Sequence, residues 1–426
     1  MIGFVGLSHL GLNYSLATAA KGFDVVAFDP DTKPIEQLRR GIFPIAEPGF
    51  EELFRQHRGR LHYTADPAEL ARCDLVFYSL DVPTDARGAG NVAPLTALIE
   101  ATLPRLAPAA AAVVLGQVAP GYTRALAARH SSRSGAIYYQ VETLVFGDAV
   151  RRALEPERYI VGAADPAQPL APAFRAWHAA FGCPVLAMRY ESAELAKIAI
   201  NLFLVSSVST TNTVAELCER IGADWSEIAP ALRLDRRIGP HAYLQPGLGL
   251  AGGNLERDLA TTQHLAAAHQ TDFRLIEAWR QNSARRKAWA REVLQQELLG
   301  KNPRARVAVW GLAYKAETHS TKNSAALELL ASVPACEFHV YDPAVVLSAA
   351  QSAGVTTHPS ALAALAQADA LVVMTPWKEF SAIIPADIRA RLKGTLVIDP
   401  FGALDGNACR AAGLRHRQLG KPATLA

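Results

Sequence analysis

The stretch Ile2-Gly-Phe-Val-Gly-Leu-Ser-His-Leu-Gly11 decides the reading of the chain. An apolar run, Ile2–Val5, ends in a glycine turn and opens into the helix-compatible LGLNYSLATAA. Strand, glycine turn, helix is the order of a dinucleotide-binding crossover, G-x-G-x-x-G, with Ser8 at the second glycine. Gly6 makes the tight turn, and Gly11 lets the helix pack closely on the sheet. The middle glycine normally lets backbone approach a pyrophosphate, so Ser8 departs from the pattern. Asp29 ends a second strand, Asp24–Phe28, about 20 residues after the loop, where a carboxylate binds a ribose 2′-hydroxyl. An acid there repels a 2′-phosphate, so NAD is expected over NADP. The bland alternative is an ordinary strand–turn–helix with a surface aspartate.

Outward from this stretch, Leu75–Ser79, Ala112–Leu115 and Ala136–Tyr139 also read as strands, each followed by a turn and an Ala/Leu-rich helix. Such alternation argues for a parallel sheet with helices on both faces. From about Ser192 to Arg220 the pattern changes. ESAELAKIAINLFLVSSVSTTNTVAELCER has neither proline nor glycine and reads as one long helix, a spine or subunit interface. A glycine-rich loop, QPGLGLAGGN, follows. After KNPRAR, a linker end, the alternation restarts with Val307–Trp310, Phe338–Tyr341, Ala370–Met374 and Leu396–Ile398. The expected architecture is α/β: two Rossmann-like, doubly wound parallel-sheet domains joined by a long central helix. The expected divisions are 1–190, 191–300 and 301–426.

Composition sets outer limits. The chain has 426 residues, 50% hydrophobic and 19% charged, with net charge +3. No basic block appears, which argues against nucleic acid, while an anionic small molecule needs only a local positive site. No segment has the roughly 18 consecutive apolar residues of a membrane helix. The N-terminal run lacks the basic start of a signal peptide. Five dispersed cysteines (Cys73, Cys183, Cys218, Cys336, Cys409) without a CxxC pair fit free thiols in a reducing cytoplasm. His9, His241 and His319 lie near motifs, but nothing in their spacing suggests a metal.

Collinear strings then make the chain recognisable. They are IGFVGLSHLGL, FDPD, DVPTD, VAPGYT, EPERYIVG, ELAKIAINLFL, DRRIGP, PGLGLAGGNLERD, VAVWGLAYKAET, VYDP and ALVVMTPWKEF. In this order they resemble the UDP-glucose/GDP-mannose dehydrogenase family over nearly the whole chain. The resemblance implies NAD-dependent oxidation of a sugar nucleotide, two Rossmann-like lobes and a homodimer through the long helix. It implies cofactor contacts at Gly6, Ser8, His9, Leu10, Gly11, Asp29, Pro83, Thr84, Gln117 and Lys322. It implies substrate contacts at Glu142, Lys197, Asn201, Tyr243, Gly249 and Lys315. Glu142 falls at the family's general base, acting through water, and Asp258 at the aspartate closing the catalytic loop. Lys197 and Asn201, four apart on one helix face, fall at positions that contact the reacting oxygens.

The catalytic loop, Pro246 to Asp258, carries the main departure. The family pattern has cysteine eight residues after the proline, and here that residue is Asn254. Removing a first hydride from an alcohol needs a base and a cofactor. The second oxidation, aldehyde to acid, needs covalent capture or hydration, and an amide is not a nucleophile. Gln117 also replaces a threonine, Glu142-Thr-Leu-Val-Phe-Gly147 lacks an arginine and an acid, and Asp399-Pro-Phe401 lacks an arginine. The expectation is a two-electron oxidation stopping at ketone or aldehyde. The alternatives are a four-electron oxidation through the aldehyde hydrate, or a catalytically silent protein that holds NAD or a sugar nucleotide.

Overall fold

The computed structural model describes residues 1–84, 90–251, 253–348, 351 and 354–422. Two compact units divide the chain, Met1–Ile200 and Asn201–Ala426, and the division falls inside the long helix. The region 191–300, read from the sequence as a middle part, is therefore shared between the units.

The first unit holds an eight-stranded sheet. Its strands are β1 (Ile2–Val5), β2 (Val25–Phe28), β3 (Leu61–Thr64), β4 (Leu75–Tyr78), β5 (Ala111–Val114), β6 (Ile137–Gln140), β7 (Tyr159–Ala163) and β8 (Val185–Arg189). The order is β3-β2-β1-β4-β5-β6-β7-β8. The first six follow the doubly wound dinucleotide order. One pairing departs from a parallel sheet: β7 runs antiparallel to β6, with Tyr139 opposite Gly162. The central strands are apolar throughout because helices cover both faces. Successive side chains alternate, so Phe4 and Phe77 enter one core with Phe174 and Trp177, while Val5 and Tyr78 enter the other with Val114 and Tyr139. The Phe4 and Phe77 rings stack at 5.0 Å.

The second unit repeats the plan with β9 (Arg306–Trp310), β10 (Glu337–Tyr341), β11 (Val355–Thr357), β12 (Ala370–Val373), β13 (Leu396–Ile398) and β14 (Arg415–Arg417), in the order β11-β10-β9-β12-β13-β14. All its pairings are parallel. Two cores again flank the sheet, one around Val307, Val309 and Phe338, the other around Trp310, Leu371 and Phe380.

The spine helix runs Tyr190–Ile221, one or two residues beyond its expected ends. By length and composition alone it would pass as a membrane span. Its buried positions, however, include Glu194, Ser209, Thr211 and Asn212, which the protein itself satisfies in part. Glu194 accepts from the backbone N–H groups of Gly121 (2.6 Å) and Thr123 (2.8 Å). It thereby places an acid at the N-terminus of the helix Tyr122–Arg129, where the helix dipole favours it. Burial nonetheless raises its carboxyl above the usual range. Further along, Glu219 accepts from Arg286 (2.7 Å), the Trp289 indole (2.8 Å) and the Gly420 N–H (2.9 Å). These bonds fix the later turns of the spine to the second unit.

Candidate active site

The cofactor cradle lies wholly in the first unit. Gly6 adopts φ +91°, and a Cβ there would stand 2.8 Å from the Leu80 Cβ. A Cβ on Gly11 would stand 2.1 Å from the Gly6 carbonyl oxygen. Both positions therefore require glycine. Ser8 does not: its backbone is extended, φ −74° and ψ −173°. Its hydroxyl donates to the Ser79 carbonyl (3.0 Å) and accepts from the Asp81 N–H (2.9 Å). The serine thus ties the turn after β1 to the loop after β4, a role invisible in the sequence. Asp29 lies at the end of β2, and its carboxylate accepts from the Leu7 N–H (2.9 Å) and the Asp31 N–H (3.1 Å). These residues fit a dinucleotide: two glycines hold the turn open to the helix start, and a half-buried carboxylate stands oriented beside it. Gly116 adds a close wall, since a Cβ there would meet the Leu80 carbonyl at 2.7 Å. Half-buried Gln117 follows it. Pro83 and Thr84 follow β4; the Pro83 carbonyl accepts from Asn91 (2.8 Å), and Thr84 bridges Gly90. Asp85 of the DVPTD string and Gly252 of the catalytic loop lie outside the described residues.

His9 and Leu10 open the helix His9–Ala20. The His9 Nε2 lies 2.7 Å from the Glu47 carboxylate, and its ring packs against Phe146 at 4.1 Å. Glu47 also accepts from the N–H groups of Gly147 (3.0 Å) and Ala149 (3.2 Å). Glu47 therefore joins the cofactor turn to the Glu142–Gly147 segment. Sequence reading missed it because nothing local marks a glutamate 38 residues from its partner.

Glu142 follows β6, and Lys197 projects to it from the spine helix. The Lys197 ammonium lies 2.7 Å from the Glu142 carboxylate and donates to the Glu142 carbonyl at 3.0 Å. Both side chains are mostly out of water, at 12% and 18% exposure. The second carboxylate oxygen accepts from the Leu144 N–H (3.0 Å). A charge pair so held is a short proton path with fixed geometry.

In the second unit, Asn201 donates to the fully buried Asp258 carboxylate at 2.5 Å, and Arg257 lies 3.4 Å from its other oxygen. Asp258 stands one turn into the helix Asn254–Ala268, which Asn254 opens after Gly253 at φ +96°. Asn254 is exposed, and its side chain makes no hydrogen bond among the described residues. Gly249 has φ +73°, and a Cβ there would meet the Ser283 carbonyl at 2.5 Å. Tyr243 is 52% exposed, its carbonyl accepting from Thr211 (3.1 Å). The Lys322 side chain lies over Gly253, and the Lys315 ammonium lies 5.8 Å from the Tyr314 ring centre. Lys322 thus belongs to the second unit, away in the chain from the cofactor turn.

None of the five thiols is activated. Burial pushes Cys73 and Cys409 up to about 12 and raises Cys183, Cys218 and Cys336. A thiolate is the reactive form, so these groups are poor nucleophiles at neutral pH.

A glycine turn that fits a dinucleotide and a lysine–carboxylate pair on the spine of the same unit suit an NAD-dependent dehydrogenase acting on CH–OH. Models of a single family match its three successive parts. They are the NAD binding domain (residues 1–177), central domain (191–284) and UDP binding domain (308–406) of the UDP-glucose/GDP-mannose dehydrogenase family. The chain belongs to that family, and its substrate is a sugar nucleotide. It is 29% identical to the putative UDP-glucose 6-dehydrogenase YtcA of Bacillus subtilis, over 98% of this chain and 99% of that protein. A UDP-glucose 6-dehydrogenase of Pseudomonas aeruginosa is also 29% identical, over 98% of this chain and 97% of its own. Among solved structures, a UDP-glucose dehydrogenase of Pyrobaculum islandicum superposes with a TM-score of 0.85 at 26% identity, covering 99% of this chain and 97% of the other.

Proposed function

We propose that the protein carries out one two-electron oxidation of a nucleotide sugar, alcohol to ketone or aldehyde, and releases that product. The supporting observation is the pairing of Lys197 with Glu142 at 2.7 Å in a chain whose loop position for a nucleophile holds the exposed amide Asn254. NAD, when bound, supplies the hydride acceptor. The hydroxyl proton passes to the Glu142 carboxylate, directly or through a water. The Lys197 ammonium stabilises the alkoxide as it forms, a contribution larger in a dry site than in water. Asn201 keeps the role that the resemblance implies, as a contact to the reacting oxygens, and Asp258, at the aspartate closing the catalytic loop, helps position the water. With no thiolate at that loop position, the carbonyl product meets no covalent capture, and the second hydride transfer lacks the thiohemiacetal from which it would leave.

The relatives are named for UDP-glucose, and UDP-sugars are the first substrates to try. The protein is a homodimer through the spine helix in this reading, since Phe203 (79% exposed), Leu217 (54%) and Ile221 (65%) leave apolar surface along it. The parts 1–190, 191–300 and 301–426 then serve cofactor binding, dimerisation with the catalytic loop, and nucleotide-sugar binding.

The experiment is a panel of UDP-, GDP-, dTDP- and CMP-sugars, read by NADH absorbance and by product mass. A product lighter by one pair of hydrogens supports the reading. A uronate would overturn it, and no NADH with any sugar nucleotide would point to a silent binding protein.

A further inference from the structure

The start of the helix His9–Ala20 holds an internal anion. Asp81, in the loop after β4, directs a carboxylate oxygen at the Leu10 backbone N–H, 3.3 Å away. Its own N–H donates to the Ser8 hydroxyl at 2.9 Å, and that hydroxyl in turn donates to the Ser79 carbonyl at 3.0 Å. Three bonds therefore latch the loop after β4 across the mouth of the glycine turn. The first-turn N–H groups of this helix are those on which a dinucleotide pyrophosphate is held. The carboxylate and the pyrophosphate carry the same sign and seek the same donors.

We infer that Asp81 is a cofactor-affinity determinant that competes with the pyrophosphate of NAD for the N-terminus of the helix His9–Ala20. Ser8 is the second half of the device. A glycine at its position would offer no hydroxyl to the Asp81 N–H, and the carboxylate would lose its anchor. The serine in the fingerprint is then coupled to the aspartate 73 residues later. Binding of the dinucleotide requires the carboxylate to leave the Leu10 N–H, so NAD binds more weakly and departs more readily than the cradle alone would dictate. Adenosine, which has no phosphate, is indifferent to Asp81. Asp29 bonds the turn at Leu7 and takes no part in the competition.

The inference rests on the NAD reading, and the test separates the two. Calorimetric titrations of the full-length protein use NAD, ADP and adenosine against wild type, Asp81→Asn and Asp81→Ser. Asp81→Asn keeps an oxygen for the Leu10 N–H and removes the charge. It should tighten NAD and ADP by about three- to tenfold at low salt, with the gain shrinking as salt screens it. Adenosine affinity should stay unchanged in both variants. Asp81→Ser, too short to reach the Leu10 N–H, should tighten NAD and ADP at least as much. Unchanged or weaker ADP binding in both folded variants would overturn the inference, as would an equal gain for adenosine. Failure of wild type and both variants to bind NAD, ADP or adenosine would overturn the cofactor reading itself, and this inference with it.

Discussion

After β1 the chain turns at Gly6 with φ +91°, and after β9 it turns at Gly311 with φ +90°. In each lobe the glycine N–H donates to the last carbonyl of the second strand, Phe28 at 2.9 Å and Tyr341 at 2.8 Å. In each, the next residue donates to an aspartate just past that strand, Leu7 to Asp29 and Leu312 to Asp342. The two turns then diverge. Among the described residues, Asp29 accepts two backbone bonds. Asp342 accepts five: from Leu312, Ala313, Ala344, Val345 and the Trp377 indole. A carboxylate has about four lone-pair sites, so Asp342 is saturated while Asp29 keeps room for a ribose hydroxyl. The helix follows at His9 in the first lobe, but only at Ala325 in the second, so the second turn offers no adjacent helix start. One topology thus gives a cofactor cradle in one lobe and a self-satisfied corner in the other.

The contrast can be broken experimentally. The largest effect is expected at the Lys197–Glu142 pair of the first lobe. Lys197→Met should lower the rate of NADH formation by roughly a hundred- to a thousandfold while NAD binding stays within a factor of two. A rate within tenfold of wild type would remove Lys197 from the mechanism. The paired aspartates come next. Asp342→Asn should destabilise the protein by about 1.5–3 kcal/mol, because an amide turns a donor toward crowded N–H groups, and should leave NAD affinity alone. Asp29→Asn should do the reverse, weakening NAD about tenfold with little change in the unfolding midpoint. Equal effects of the two substitutions on NAD would erase the distinction between the lobes.

A smaller effect concerns acid stability. His178 is buried in the first lobe, bonded to Gln140 at 2.9 Å, and burial lowers it to about 3. The unfolded chain takes up a proton near pH 6.5, which the folded chain refuses, so stability falls as pH drops below about 6.5 toward 3. Urea midpoints between neutrality and about pH 5 should show this slope. His178→Phe keeps the ring contacts with Phe174 and Tyr159, and it should flatten the slope while lowering stability at neutrality, because Gln140 loses a partner. An unaltered slope would assign the acid sensitivity elsewhere.

What the sequence made legible follows from where the information lies. β1, β4, β12 and the spine helix announce themselves because long apolar runs or helical spacing are local signals. β3, β8, β11 and β14 do not. Arg415-His416-Arg417 has no apolar residue, and it is a strand because it pairs with Leu396–Ile398. The antiparallel β7 is likewise set by its neighbours. At the site, residues inside motifs could be placed from the sequence, and the Lys197–Glu142 and Asn201–Asp258 bonds join residues read there as functional. Glu47, Asp81 and Glu194 were missed, since each acts through a partner 38 to 73 residues away. Ser8 stands in the sequence only as a departure from the glycine pattern, because its value lies in bonds to Ser79 and Asp81 that the fold creates.

In the proposed reaction, oxidation stops after one hydride because Asn254 is not a nucleophile. Its most direct test is the ratio of NADH formed to substrate consumed, taken to completion in heavy-oxygen water with the product analysed by mass spectrometry. One NADH for each substrate is expected, with a ketone or aldehyde product. Two NADH for each substrate, with heavy oxygen fixed in a carboxylate, would contradict it.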